Sequence, residues 1–280
     1  MELIEKLKEM QSQSSHLTDG TKMESQTPHS YKCHECNDSG WKWVKDSNGI
    51  LYCEECPCGI RKKMILENQL KFAELPEMFK DSLFSDLKSN VYLDGKSKLM
   101  FSQAAQAVNY WLKNISSMRK SGIGLYLFSS TKGSGKTKTA CSIANEIMKR
   151  FQIPVKFTTS IRIISEIKDT WSAKNNTENK LIENLSRAEI LVIDDFGTDS
   201  GRDWINEKFY EIINGRYVNK KITIFTSNYR ISELKYDERI TNRILERSLE
   251  IPFPEESVRE HIAGYNKMKM IEGIGRKQNG

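Results

Sequence analysis

The sequence has little of what would place a protein in a membrane or outside the cell. No apolar run approaches the roughly 20 residues needed to cross a bilayer, in a chain of 280 residues that is 38% hydrophobic and 29% charged. The opening stretch, MELIEKLKEMQSQSS, carries acids inside its apolar part and no cleavage site. A signal peptide is therefore not expected, the expected compartment is the cytoplasm, and no membrane partner is implied. There is no internal repeat, which argues against a solenoid. Large excess charge is also missing. A formal net charge of +6 permits nucleic-acid contact without demanding it.

Cysteine is scarce outside one place. Five of the six fall between residues 33 and 58, and in a cytosolic chain such clustering points to a metal rather than to disulfides. CHEC supplies Cys33 and Cys36, while CEECPC supplies Cys53, Cys56 and Cys58, one thiolate more than a four-coordinate zinc site takes. Two pairings compete. Cys53 with Cys56 completes two C-x2-C knuckles; Cys56 with Cys58 completes a C-x2-C and a C-x-C. Closed four-thiolate ligation leaves no open position, so the expected role of zinc is structural. Trp41, Trp43 and Tyr52 are expected to form the module's small core, with an exposed binding surface as the alternative. The sixth cysteine, Cys141, is expected to be buried and inert.

The organisation follows from composition and period. Leu3, Leu7 and Met10 suggest an amphipathic helix over residues 1–12, followed by a polar flexible linker over 13–30. The cysteine module spans 31–60. A connecting helix and linker covers 61–90, the helix ending near Leu75 because Pro76 follows. From there apolar strands at 124–128, 155–158, 189–193, 222–226 and 249–253 alternate with amphipathic helices, the pattern of a parallel sheet covered on both faces. A polar surface loop is expected over 172–180 and a disordered tail over 271–280.

SSTKGSGKT, residues 129–137, follows the first of those strands and opens the striped helix KTKTACSIANEIMKRF. That is the setting of a phosphate-binding loop, formed by Ser130, Thr131, Lys132, Gly133, Ser134, Gly135, Lys136, Thr137 and Lys138. Amides near the two glycines can approach phosphate, Lys136 can reach its outer oxygens, and Thr137 can offer a hydroxyl to magnesium. Ser130 stands where the usual pattern has glycine, at the start of the loop rather than in its wrap. ILVIDDFG then places Asp194 and Asp195 at the end of an apolar strand, Asp194 to hold magnesium and Asp195 to orient and help deprotonate an attacking water. Asn228, after the strand ITIFT, can contact the terminal phosphate or that water. Arg239, Arg243 and Arg247 lie four apart on one helix face, either a salt-bridged solvent face or a donor to a neighbouring subunit's nucleotide.

These motifs, in this order, resemble an AAA+ ATPase, specifically the DnaC/DnaI-type replicative helicase loaders and their IstB-type relatives. The run ILVIDDFGTDSGRDWINEKFYEIINGRYVNKKITIFTSN and the earlier LPEMFKDSLFSDL carry the likeness, which covers roughly residues 75–265. It implies an α/β fold: an AAA+ P-loop ATPase domain over 91–270, with a five-stranded parallel sheet between helices, preceded by a small zinc-binding module. It implies ATP, magnesium and zinc as cofactors. By resemblance Lys136 and Thr137 match the Walker A residues, Asp194 and Asp195 the Walker B pair, and Asn228 sensor 1. Arg243, with Arg239 second, matches the arginine finger, and Arg259 of the SVR triplet matches sensor 2. The family's C-x-C-Gly pattern favours Cys33, Cys36, Cys56 and Cys58 as the zinc set, with Cys53 as the alternate. Asp195 stands where many relatives have glutamate, which implies slow hydrolysis. The implied partners are a DnaB-like replicative helicase, single-stranded DNA, and further copies of the chain through the ATPase domain. The implied function is loading that helicase onto single-stranded DNA; an IstB-type helper of DNA transposition is the alternative, and a small-molecule P-loop kinase the rival from another class.

Overall fold

The computed structural model of the chain describes residues 31–171, 177–198 and 203–277. The expected helix and linker over 1–30, and residues 172–176 of the expected surface loop, lie outside the described residues. The chain divides into two compact units, Met1–Arg61 and Lys62–Gly280.

In the first unit an antiparallel hairpin joins β1 (Trp41–Lys45) to β2 (Leu51–Glu55), with Trp43 opposite Cys53. Its turn is closed by the Gly49 amide donating to the Asp46 carbonyl, as an Asp-Ser-Asn-Gly run favours. The aromatic core expected here is absent. Trp43 is 73% exposed, and Trp41 and Tyr52 are also exposed. A lone two-stranded hairpin has no second layer to bury either face. Cys36 and Cys56 are buried in their place.

The second unit is built on a parallel sheet of five strands: β3 (Gly124–Phe128), β4 (Val155–Thr159), β5 (Ile190–Asp194), β6 (Ile222–Ser227) and β7 (Ser248–Pro252). Their spatial order is β4-β5-β6-β3-β7, every pairing parallel. The sheet is the AAA+ fold, as the sequence implies. Its faces follow the two-residue strand period. Leu125 and Leu127 enter one core, with Val155, Val192 and Ile224; Tyr126 and Phe128 enter the other, with Leu191, Ile193 and Phe225.

Helices α1 (Ile60–Ala73), α2 (Gly95–Lys113), α3 (Ile115–Ser121) and α4 (Lys136–Phe151) precede β4. Ile143, Ala144, Ile147 and Met148 of α4 are fully buried in the first core. The second core takes its helical residues from α5 (Ser160–Trp171), α6 (Thr177–Arg187), α7 (Asp203–Val218) and α8 (Glu238–Arg247). A last helix, α9, runs Val258–Lys277.

Three expectations change. Residues 61–90 are not a separate connector: Leu66, Leu70, Leu75, Phe79, Phe84 and Leu87 pack against the first core, and the Asn145 side chain of α4 donates to the carbonyls of Phe79 and Ser82. Residues 177–180 of the expected loop open α6. The expected tail is helical as far as Lys277; residues 278–280 lie outside the described residues. Among the described residues, no helix is long and apolar enough to cross a membrane.

One buried charge comes from the family-like run at 212–217. Arg216 is 1% exposed and donates to Thr223 Oγ1 and to the carbonyls of Leu185, Ala188 and Ile222. It ties the end of α6 to the start of β6, and its burial is tolerable because its donors are met.

Candidate functional site

The strand order places β6 between β3 and β5, so the residues after β6 fall between the phosphate loop and the aspartate pair. This is the ligand-binding end of an open parallel sheet.

Between Phe128 and Lys136 the chain wraps through Gly133 (φ 82°) and Gly135 (φ 94°), conformations that a side chain disfavours. Space is also short: a Cβ on Gly133 would stand 3.0 Å from Ser257 Oγ, and one on Gly135 3.2 Å from Tyr92 Oη. Ser130 is not among the residues of positive φ, so the missing glycine leaves no strain at the start of the loop. Helix α4 opens at Lys136 with Gly135 as its N-cap and no side-chain cap. Its first amides and its dipole are left for an anion.

Lys136 is buried, and its ammonium donates to the carbonyls of Ser129 (2.9 Å) and Thr131 (3.1 Å), to Ser134 Oγ (3.3 Å) and to Asn228 Oδ1 (3.0 Å). Burial lowers its pKa to about 8, opposed by the charges of Asp195, Glu255 and Asp194. The structure thus brings Lys136 and Asn228 together directly.

Asp194 closes β5 and is buried. It accepts from Thr137 Oγ1 at 3.2 Å and from Thr226 Oγ1, while burial raises its pKa against those bonds. A carboxylate and a hydroxyl meeting at the mouth of a phosphate loop is the oxygen donor pair that magnesium takes. Asp195 is exposed and left-handed, φ 52°, its amide held by Thr226 Oγ1 at 3.0 Å. One hydroxyl thus sets both aspartates. The left-handed position also bears on the missing glutamate, because aspartate and asparagine tolerate that conformation better than longer side chains do.

Arg259 lies against the loop, its Cδ 3.2 Å from where a Gly133 Cβ would be. The arginine stripe of α8 is held elsewhere. Arg243 donates to Asn214 Oδ1 (3.0 Å), Tyr210 Oη (3.3 Å) and the Arg239 carbonyl. Arg239 pairs with Asp237 and lies over the Tyr210 ring, and Arg247 donates to the Ser121 carbonyl. None of these bonds reaches the phosphate loop. Lys132 and Lys138 are exposed beside the loop.

In the first unit the thiols of Cys33, Cys36, Cys56 and Cys58 all lie within 4.8 Å of one another. Cys33 to Cys56 and Cys36 to Cys58 each measure 3.7 Å. Four sulfurs about 2.3 Å from a central zinc would be about 3.8 Å apart, so the four thiols fit that ion. Cys53 is outside the cluster and exposed. Cys141 is buried, as expected, and desolvation pushes its thiol up to about 12.

Three site residues had no sequence signal of their own. Thr226 sits inside an apolar strand. Tyr92 donates to the Ser134 carbonyl at 2.7 Å. Glu255 accepts from the Ser130 amide at 2.9 Å and the Thr131 amide at 2.8 Å, across more than 120 residues of chain.

Residues 98–260 match the family described as "IstB-like ATP binding protein". The Bacillus subtilis (strain 168) protein "Phage-like element PBSX protein XkdC" is 26% identical over 225 residues, covering 77% of this chain and 79% of that protein. "Replicative helicase loader DnaC" of Escherichia coli (strain K12) is 30% identical over 145 residues, covering 51% of this chain and 59% of that protein. A solved structure, "Crystal structure of the DnaC helicase loader", matches with a TM-score of 0.54 and 22% identity, over 64% of this chain and 100% of that one. The likeness in structure is one of fold.

Proposed function

This chain belongs to the family of IstB-like ATP binding proteins and is an AAA+ ATPase; from that premise we propose that it loads a ring-shaped, DnaB-like replicative helicase onto single-stranded DNA, using ATP. The observation that carries the nucleotide part is the meeting of Lys136, Asn228, Thr137 and Asp194 at adjacent strand ends. The relatives named as helicase loaders, together with a four-cysteine module ahead of the ATPase domain, support the helicase as partner.

In this reading the loop 130–138 cups the triphosphate, and Lys136 leaves its carbonyl partners for the outer phosphate oxygens. Asn228 and Arg259 would contact the terminal phosphate. Thr137 and Asp194 would hold magnesium, which when bound neutralises charge on the phosphate oxygens. Asp195 would orient the attacking water and take its proton. Arg243, or Arg239 after it, would reach the nucleotide of a neighbouring copy, leaving its contacts on Tyr210. Nucleotide would drive assembly only through its different affinity for the assembled and free states, and a slow ATPase suits such a switch.

The partner assignment is tested by co-purifying the chain with a bacterial replicative helicase, with and without ATP, and by measuring turnover with single-stranded and duplex DNA. Helicase capture with stimulation by single strands is the expected result. Stimulation by duplex DNA and a transposase, with no helicase capture, would instead support the alternative reading, an IstB-type transposition helper.

Two further results are expected. Phosphate favours charged Lys136, so binding takes up a proton wherever the free site is deprotonated. ATP affinity should therefore be flat below about pH 8 and fall above it, up to tenfold per pH unit for one proton. Titration calorimetry in buffers of different ionisation heat checks the uptake; affinity level to pH 9.5 would contradict it. For the module, we propose that Cys33, Cys36, Cys56 and Cys58 bind one structural zinc. Metal analysis should find one zinc per chain, retained in Cys53→Ser and lost in Cys58→Ser. Chelation should change the fluorescence of Trp41 and Trp43, since so small a unit needs the ion to fold.

A further inference from the structure

The segment Pro254–Arg259 touches the phosphate loop and the stretch before α2 at the same time. Glu255 receives the Ser130 amide (2.9 Å), the Ser130 hydroxyl (2.7 Å) and the Thr131 amide (2.8 Å), while the Ser129 hydroxyl, 3.2 Å from it, donates at 2.9 Å to the Pro254 carbonyl. Its neighbour Glu256 receives the amides of Leu93 (2.6 Å) and Asp94 (3.3 Å). Two residues on, the Val258 amide donates to the Gly133 carbonyl at 3.0 Å, and Arg259 packs where a Gly133 Cβ would be. Tyr92 closes the circle through the Ser134 carbonyl.

We propose that Glu255 is a positioning residue of the ATPase site: its carboxylate clasps the serine-led start of the phosphate loop and so holds Arg259 against Gly133. The inference rests on the nucleotide-site reading above. Three donors converging on one carboxylate are an arrangement for its ionised, acceptor-only form. Although desolvation opposes ionisation, the bonds from Ser130 and Thr131 keep the Glu255 pKa below its ordinary value. The clasp also accounts for the departure from the usual loop. At Ser130 the backbone needs no glycine, and the hydroxyl supplies a donor that glycine lacks. Glu255 makes no hydrogen bond to Lys136 or Thr137, although its charge acts on the Lys136 ammonium; the clasp itself works through the loop and through Arg259.

The test is a double-mutant cycle on binding of a fluorescent ATP analogue, with melting temperature recorded for each variant. Glu255→Gln replaces an acceptor oxygen with a donor that faces the loop amides. It should weaken the analogue about tenfold, as Arg259→Ala should alone. The double variant should be no more than about twofold weaker than either single, because Arg259 is already released. Losses that multiply to about a hundredfold, or wild-type affinity in folded Glu255→Gln, would overturn the proposal. Should Glu255→Gln fail to fold, Ser130→Ala serves instead. It removes one donor and is expected to weaken binding about threefold and to reduce the penalty of Arg259→Ala; an unchanged penalty would overturn the proposal equally. Lys136→Ala runs alongside. If it leaves binding intact, the nucleotide-site reading fails; if it abolishes binding while Glu255→Gln has no effect, only the clasp fails.

Discussion

Lys136→Ala is expected to weaken ATP binding by at least about a hundredfold while leaving the fold in place. The ammonium sits inside the loop on four acceptors, and every one of them is a weaker partner than a phosphate oxygen. Losing a charge-assisted contact in a partly dry site costs roughly 3–4 kcal/mol, and each 1.4 kcal/mol is about a factor of ten. Folding should suffer less. Removing the lysine leaves carbonyls short of a donor, yet it also removes the desolvation of a buried cation, which lowers the Lys136 pKa to about 8. Fluorescent-nucleotide titration and thermal melting separate the two effects. A variant that binds ATP normally would put the nucleotide elsewhere.

Asp195→Asn should give the opposite pattern: ATP affinity within about threefold of wild type and turnover lower by about 10²–10⁴, the range for loss of a general base. Asparagine keeps the left-handed backbone at φ 52° and the amide bond to Thr226, so the loss isolates the proton acceptor. The Asp195→Glu variant is informative beside it. The longer carboxylate reaches further but meets a less tolerant backbone position, so its turnover should not exceed the wild type's by more than a few fold. Single-turnover hydrolysis reads both variants. Asp195→Asn turning over at the wild-type rate would remove Asp195 from the chemistry.

Much of this was legible in the sequence where a period or a motif repeats a physical constraint. Helix α4 begins and ends where the apolar stripe of KTKTACSIANEIMKRF does, because one face of that helix is wholly buried. The strands were visible as short apolar runs because a parallel sheet covered on both faces has no polar side. Asn228 could be placed between the loop and the aspartates once the strands were ordered as in an AAA+ sheet.

What stayed hidden lacked a period. Phe79 and Phe84 sit in single short 3-10 turns, with Leu75 and Leu87 outside them; such turns are too short for a period to show that these residues pack on the ATPase core. The hairpin of the cysteine module had its Asn-Gly turn in plain view, but the aromatic residues around it read as core when only a second layer could have buried them. Glu255 and Tyr92 reach the phosphate loop from 125 and 42 residues away, a closeness created by the sheet and by no local pattern. The arginines of α8 show the reverse. Their spacing was clear, and the structure adds that Tyr210 and Asn214 hold Arg243 in its own subunit.

The decisive measurement is the structure of the full chain with a non-hydrolysable ATP analogue and magnesium. Lys136 Nζ should have left the carbonyls of Ser129 and Thr131 for the outer phosphates, with the metal between Thr137 and Asp194 and the terminal phosphate beside Asn228. Nucleotide bound away from residues 130–138, or Lys136 still on its carbonyl partners with the site filled, would contradict the account.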